Sequence, residues 1–431
     1  MKNLDFQKED LQYIWHPCTQ MKEHEHYPIV PIKRGDGVYL EDYDGRRFVD
    51  GISSWWVNIF GHANPVINEA LKKQSEELEH TIFAGFTHKP ALDLAKSLVE
   101  ITPHGLEKVF FADNGSSAVE AALKMAFHYF KNQGEVRPYF VALSESYHGE
   151  TIGALSVGDT ALYKKTYEEI LIKTLISPSP KDDSLESAQE AANALENMIE
   201  QNRDKISAFI LEPLIQCAGG MKMHHEEFVR LARKICNKYG IFMIADEIAT
   251  GFGRTGEMFA CEKCGISPDM MTLSKGLSGG YLPISIVMVS QKIYDGFYCE
   301  YEEQKAFLHS HSYTGNALGC AVANSVIELF KTTNIIEKNR KKSAFLAKKL
   351  EEISRYEFIQ NPRQHGMVVA FETNSFKSRK DWRYFYTECL NRGVYLRPLG
   401  NTIYFMPPLV IEEDEIERLF DVTIQLLSDL S

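Results

Sequence analysis

The stretch MIADEIATGFGRTG (243–256) begins apolar and then stops at two acids, Asp246 and Glu247. Extended upstream, IFMIAD (241–246) has the length and composition of a buried strand. Carboxylates at the end of such a strand are costly unless each meets a partner. Further apolar runs alternate with helical periodicity: KVFFA (108–112), YFVAL (139–143), AFILE (208–212), MMTL (270–273) and SIVMVS (285–290). That alternation predicts an α/β fold, a largely parallel sheet covered by helices on both faces.

Working outward, GVYLEDYDGRRFVDG (37–51) reads as two alternating runs joined at Asp44-Gly45, a hairpin signal. Beyond about residue 330 the chain is helical and charged. It passes through GMVVAFE and TIYFMPP and ends in an amphipathic helix marked by Ile416, Leu419, Phe420, Ile424 and Leu427. Both ends are expected to build one smaller α+β domain, from residues 1–60 and 331–431, beside a large domain over 61–330.

The 431 residues suffice for two such domains. With 47 Lys and Arg against 59 Asp and Glu, the net charge is −12, which disfavours nucleic-acid binding. No apolar stretch is long enough to span a membrane, and MKNLDFQKEDLQYIW has no apolar signal-peptide region, so a cytoplasmic location is expected. Eight scattered cysteines suit reduced thiols. Cys261 and Cys264 have zinc-like spacing, but no second ligand pair lies nearby, so they read as free thiols on a surface loop and no metal is expected. His24 and His26, set among Glu and Lys, read as solvated loop.

In open α/β sheets, ligands lie beyond the carboxyl ends of the strands. After KVFFA comes DNGSSAVEAALKMAFHYF, which puts Gly115, Ser116 and Ser117 in the first turn of a helix. Free N–H groups, the helix dipole and two hydroxyls make a phosphate site, although alone the motif is an ordinary N-cap. Tyr147 and His148 follow YFVAL, and Glu212-Pro213 follows AFIL. Lys275, in TLSKGLSGGYLP, follows MMTL and stands among glycines. A phosphate cradle, a buried Asp and a lysine able to form an imine are together what pyridoxal phosphate requires.

The motifs DNGSSAVEAALKMA, YHGET, EP, ADEIATGFGRTG, SKGLSGG and HSYTGNALGCA resemble the class III aminotransferases of the pyridoxal-phosphate type I fold, over nearly the whole chain. The resemblance implies that Lys275 carries pyridoxal 5′-phosphate and moves the substrate proton, and that Asp246 pairs with the pyridinium nitrogen. It implies too that Tyr147 stacks on the ring while Gly115 and Ser116 hold the phosphate. Ser312, with His311 beside it, would reach the phosphate of a neighbouring subunit's cofactor, which implies a homodimer with shared active sites.

IWHPCTQM (14–21), GISSWW (51–56) and YLRPLGNTIYFMPP (395–408) resemble the branch of the family that aminates 8-amino-7-oxononanoate for biotin. That substrate is an apolar chain ending in a carboxylate. Trp55 and Trp56 would wall the chain and Arg397 would grip the carboxylate, with Tyr147, Lys275, Ser310 and Cys18 also facing substrate. Cys18 stands where the family commonly has Tyr, so the phenol contact is lost or passes to another group. S-adenosylmethionine is the expected amino donor, with lysine the alternative because SGGYLPIS looks like the loop of lysine-using relatives. An ornithine- or 4-aminobutyrate-like ω-aminotransferase and a non-catalytic binding protein of the same fold are the competing readings.

Overall fold

The computed structural model describes residues 2–27 and 29–431. The chain forms two compact units: Met1–Pro65 with Glu337–Ser431, and Val66–Ile336.

The larger unit is built on a seven-stranded sheet. Its spatial order is Leu106–Ala112, Ser285–Ser290, Met270–Leu273, Phe242–Asp246, Ile206–Leu211, Tyr139–Leu143 and Thr174–Ser177. From Met270–Leu273 to Thr174–Ser177 all neighbours are parallel. Within a sheet that is largely parallel, as expected, Ser285–Ser290 runs antiparallel to both its neighbours. Composition reports burial, not direction, and Ser285–Ser290 is buried along almost its whole length.

The helix Gly115–Asn132 packs on this sheet through Ala118, Ala122, Ala126 and Phe130, against Ile210, Ile244, Met270 and Val287. Small side chains at helical spacing bring its backbone close to the strands. The helix therefore starts directly over the strand ends.

In the smaller unit, Ile32–Asp36, Tyr39–Asp42 and Arg47–Asp50 form an antiparallel meander. Gly45 supplies the left-handed conformation that the hairpin turn requires (φ 85°). Val394–Tyr395 joins this sheet parallel to Arg47–Asp50, which ties the two ends of the chain together. Ile359–His365, Val368–Thr373 and Thr402–Phe405 make a second, antiparallel sheet. The closing helix, Glu413–Leu430, buries Ile416, Leu419, Phe420 and Leu427 along one face. Among the described residues, no helix is long and apolar enough to cross a membrane.

Candidate active site

The carboxyl ends of the parallel strands bring Asp246, Glu212 and His148 together. His148 Nδ1 donates to Asp246 Oδ2 at 2.7 Å, and both residues are buried. Asp246 Oδ1 accepts the Thr272 hydroxyl at 3.1 Å and the Ile248 amide at 3.2 Å. The carboxylate is thus clamped from three sides, and one oxygen faces an imidazole contributed by a loop 98 residues earlier.

Glu212 accepts the amides of Tyr147 and Cys217, each at 3.0 Å. Burial pushes its pKa up to about 7; His148 opposes that shift and Asp246 adds to it. The folded state therefore holds a proton on Glu212 that the unfolded chain releases near the ordinary value of 4.5. The corresponding stability is full below that value and is lost as pH rises through about 7. Glu212→Gln should flatten this part of the pH dependence, as checked by chemical denaturation between pH 4 and 8; an unchanged slope would remove Glu212 as its source.

Lys275 begins the turn Lys275–Ser278 with φ 42°. The protein packed around its ammonium lowers its pKa, chiefly by desolvation and further through Arg254; Cys217, Asp246 and Glu212 pull the other way. An amine held in this state is a ready proton acceptor.

The predicted phosphate cradle lies at the start of Gly115–Asn132. The Asn114 side chain accepts the Ser117 amide at 3.1 Å, so the cap takes that N–H, whereas Gly115 and Ser116 lie ahead of it. Ser116 Oγ accepts the Glu150 amide at 3.2 Å, and a Cβ on Gly149 would collide with that oxygen. Tyr147 is half-buried beside Tyr163, with its hydroxyl 3.1 Å from Glu150 Oε1. A half-buried lysine, a clamped carboxylate, an aromatic ring and a glycine-tight helix start fit pyridoxal phosphate. The buried His148 Nε2 also lacks a hydrogen-bond partner among the described residues.

Ser310 and Ser312 are exposed and His311 is half-buried. The Ser312 carbonyl accepts His80 Nε2 at 2.7 Å. Among the described residues, neither serine hydrogen-bonds to the Asp246 cluster.

In the smaller unit, Trp55 and Arg397 line one cavity of about 370 Å³ together with Tyr27, Trp382, Tyr386 and His24. Trp382 stacks on Tyr386 at 5.4 Å, making an aromatic wall. The Arg397 guanidinium lies 5.1 Å from the Trp55 ring centroid, within cation–π reach. Cys18 is exposed with φ 50°, and its carbonyl, not its thiol, accepts Arg397 Nη2 at 3.4 Å. Trp56 turns the other way, 4% exposed, and donates from Nε1 to the Tyr404 hydroxyl at 3.1 Å. It belongs to the core and not to the cavity lining.

Ser53, Ser54, Trp55 and Trp56 all have positive φ (52°, 46°, 76° and 73°), so this turn winds left-handed without a glycine. Such winding costs an L-residue about 1–2 kcal/mol. Nothing in the letters SSWW signals it.

Two sequence readings need correction. Cys261 and Cys264 are free, as read, but they are buried and not on a surface loop. Glu247 is the reason: its carboxylate accepts the Ala260 and Cys261 amides at 3.0 and 2.7 Å and the Thr250 hydroxyl at 2.8 Å, drawing this segment inward. Burial raises both thiol pKa values, so neither is a reactive thiolate. His24 is likewise not solvated; both its ring nitrogens are buried, and the ring stacks edge-on with His16 and Tyr27. Its acidic and basic sequence neighbours gave no sign of that aromatic packing.

The family model described as aminotransferase class-III matches residues 20–427. The adenosylmethionine-8-amino-7-oxononanoate aminotransferase of Helicobacter pylori is 47% identical, over 98% of this chain and 97% of that relative. The protein of the same name from Geobacter sulfurreducens is 42% identical, over 96% and 95%. The crystal structure of the Methanocaldococcus jannaschii protein of that name superposes with a TM-score of 0.93 at 36% identity, covering 99% of both chains. An omega transaminase from Pseudomonas jessenii, in complex with PMP, gives 0.93 at 27% identity, covering 98% of both. With the strand-end lysine, the clamped aspartate and the helix-start cradle in place, this chain belongs to the class III aminotransferases, the pyridoxal-phosphate-dependent transaminases.

Proposed function

We propose that this chain transfers the amino group of S-adenosylmethionine to 8-amino-7-oxononanoate, giving 7,8-diaminononanoate for biotin synthesis. The observation that carries the substrate reading is the cavity shared by Trp55 and Arg397, since an apolar slot with a guanidinium suits a chain ending in a carboxylate. The names of relatives at up to 47% identity support it.

Pyridoxal phosphate, when bound, supplies an electron-accepting ring that stabilises the charge left at the substrate Cα. Lys275 Nζ, its pKa lowered by burial, takes the Cα proton and later returns one. Asp246, held in place by His148 and Thr272, would pair with the ring nitrogen, Tyr147 would cover the ring, and Gly115 and Ser116 would hold the phosphate. Arg397 takes the acceptor's carboxylate, with Trp55 along its chain. The Cys18 carbonyl steadies Arg397, while Trp56 lies in the core against Tyr404. Donor and acceptor are handled in turn, a ping-pong scheme.

We assign Ser310, His311 and Ser312 to a neighbouring subunit's site in a homodimer. Tyr298, Tyr301, Leu308 and Tyr313, exposed along the same segment, support such an interface. We take residues 1–60 with 331–431 and residues 61–330 as the two domains. The eight cysteines, none in a disulfide among the described residues, support a cytoplasmic location.

The test is a half-reaction. S-adenosylmethionine, added alone to the holoenzyme, should convert the visible absorbance of the bound cofactor to that of its aminated form, and 8-amino-7-oxononanoate should restore it. A response to lysine alone would replace the donor. A response only to another ω-amine would leave the family and remove the biotin reading.

A further inference from the structure

We infer that Asp50 is a positioning residue for the acceptor substrate: it holds the left-handed turn Ser53–Trp56 and so aims Trp55 across Arg397. The inference rests on the reading that Trp55 walls the acceptor's chain.

Asp50 ends the strand Arg47–Asp50 and is fully buried. Its Oδ1 accepts the amides of Ser54 at 3.0 Å and Ile52 at 3.3 Å. Its Oδ2 accepts the Ser54 hydroxyl at 2.7 Å and His62 Nε2 at 3.0 Å. One carboxylate therefore gathers four donors, two of them from the residue next to Trp55. His62 is itself fixed from the other side, with Nδ1 3.1 Å from Asn58 Nδ2.

The far side of the turn is tied separately. Ser53 Oγ donates to the Met406 carbonyl at 2.7 Å, and Trp56 Nε1 to the Tyr404 hydroxyl. The winding thus parts two adjacent indoles, sending Trp56 into the core and leaving Trp55 39% exposed at the cavity, over Arg397. The turn's own backbone bonds, from the Trp56 amide to the Ile52 carbonyl at 2.8 Å and from the Val57 amide to the Ser53 carbonyl at 3.0 Å, work against the strain of four L-residues at positive φ, so tethers from outside the turn matter. Tethers from Met406 and Tyr404 fix Ser53 and Trp56, whereas among the described residues the backbone amide and side chain of Ser54, immediately before Trp55, are fixed by Asp50. Asp50 touches neither substrate nor cofactor in this account; it acts through Trp55.

The experiment is a double-mutant cycle on the holoenzyme with Asp50→Ala, Trp55→Ala and both together. KM for 8-amino-7-oxononanoate and for the amino donor is measured alongside kcat and thermal unfolding. Each single variant should raise the keto-acid KM about tenfold, the scale expected when a substrate contact is displaced. The double variant should match Trp55→Ala within about twofold. A multiplicative double variant, or equal losses for every substrate that track a lowered Tm, would overturn the inference by making Asp50 merely structural. Trp55→Ala with an unchanged keto-acid KM would instead refute the reading of the slot, and the inference with it. Should Asp50→Ala not fold, Ser54→Ala deletes only the hydroxyl bond to Asp50 and must show the same dependence on Trp55 at a smaller size, about threefold; its failure to do so overturns the inference.

Discussion

Replacing Lys275 with alanine will leave a folded protein that no longer acquires the visible absorbance of its bound cofactor and whose turnover falls by more than about four orders of magnitude. Two properties of Lys275 underlie the size of this effect. It supplies the amine that links to the cofactor, and its lowered pKa makes the same nitrogen a readier proton acceptor than an ordinary lysine. No neighbour can stand in. Arg254 is buried nearby, but a guanidinium is no proton acceptor in this role. Cys217 is pushed upward by burial and so stays a thiol. Spectrophotometric titration with pyridoxal phosphate, together with single- and multiple-turnover assays, checks both halves of the prediction. A variant that keeps the absorbance and turns over repeatedly would refute the assignment.

Asp246→Asn should retain the cofactor yet lose about two to three orders of magnitude in kcat. The amide keeps one acceptor oxygen and turns the other into a donor, while Asp246 now serves three donors, from His148, Thr272 and Ile248. At least one of these bonds becomes a conflict. The lost negative charge has a second effect with a definite sign. Asp246 raises the pKa of Lys275, so its removal lets desolvation lower that pKa further. The acidic limb, where Lys275 becomes protonated and can no longer accept the proton, should therefore move to lower pH in the variant's rate profile. Near-normal rates would take Asp246 out of its role.

The strand ends carrying Asp246, Glu212 and Lys275 were legible because an apolar run must stop somewhere, and polar letters mark the stop. The helix start at Gly115 was legible for a similar reason: Asn114 caps it and small apolar residues repeat along one face. The pairing of His148 with Asp246 was not, since 98 residues separate them and only the order of strands in the sheet makes them neighbours. The fate of Glu247 was hidden in the same way. Its partners are backbone amides around residue 260, and amides carry no letter of their own. GISSWW announced two tryptophans but not their parting, because left-handed winding without glycine is imposed by tertiary bonds. Asp50, which supplies several of those bonds, read only as the polar end of a hairpin.

The antiparallel strand Ser285–Ser290 also dictates the order of events at the ribosome. Among the described residues, Leu106–Ala112 is an edge strand paired in the sheet with Ser285–Ser290 alone. Roughly 170 residues must therefore emerge before Val109, Phe110 and Phe111 find their ladder, about 10–35 s at ordinary rates of synthesis. The sheet can grow outward from its parallel strands during that interval but cannot close on this side. Folding of the larger unit is thus timed by the translation of its last strand, and the nascent chain carries an unpaired apolar segment until then.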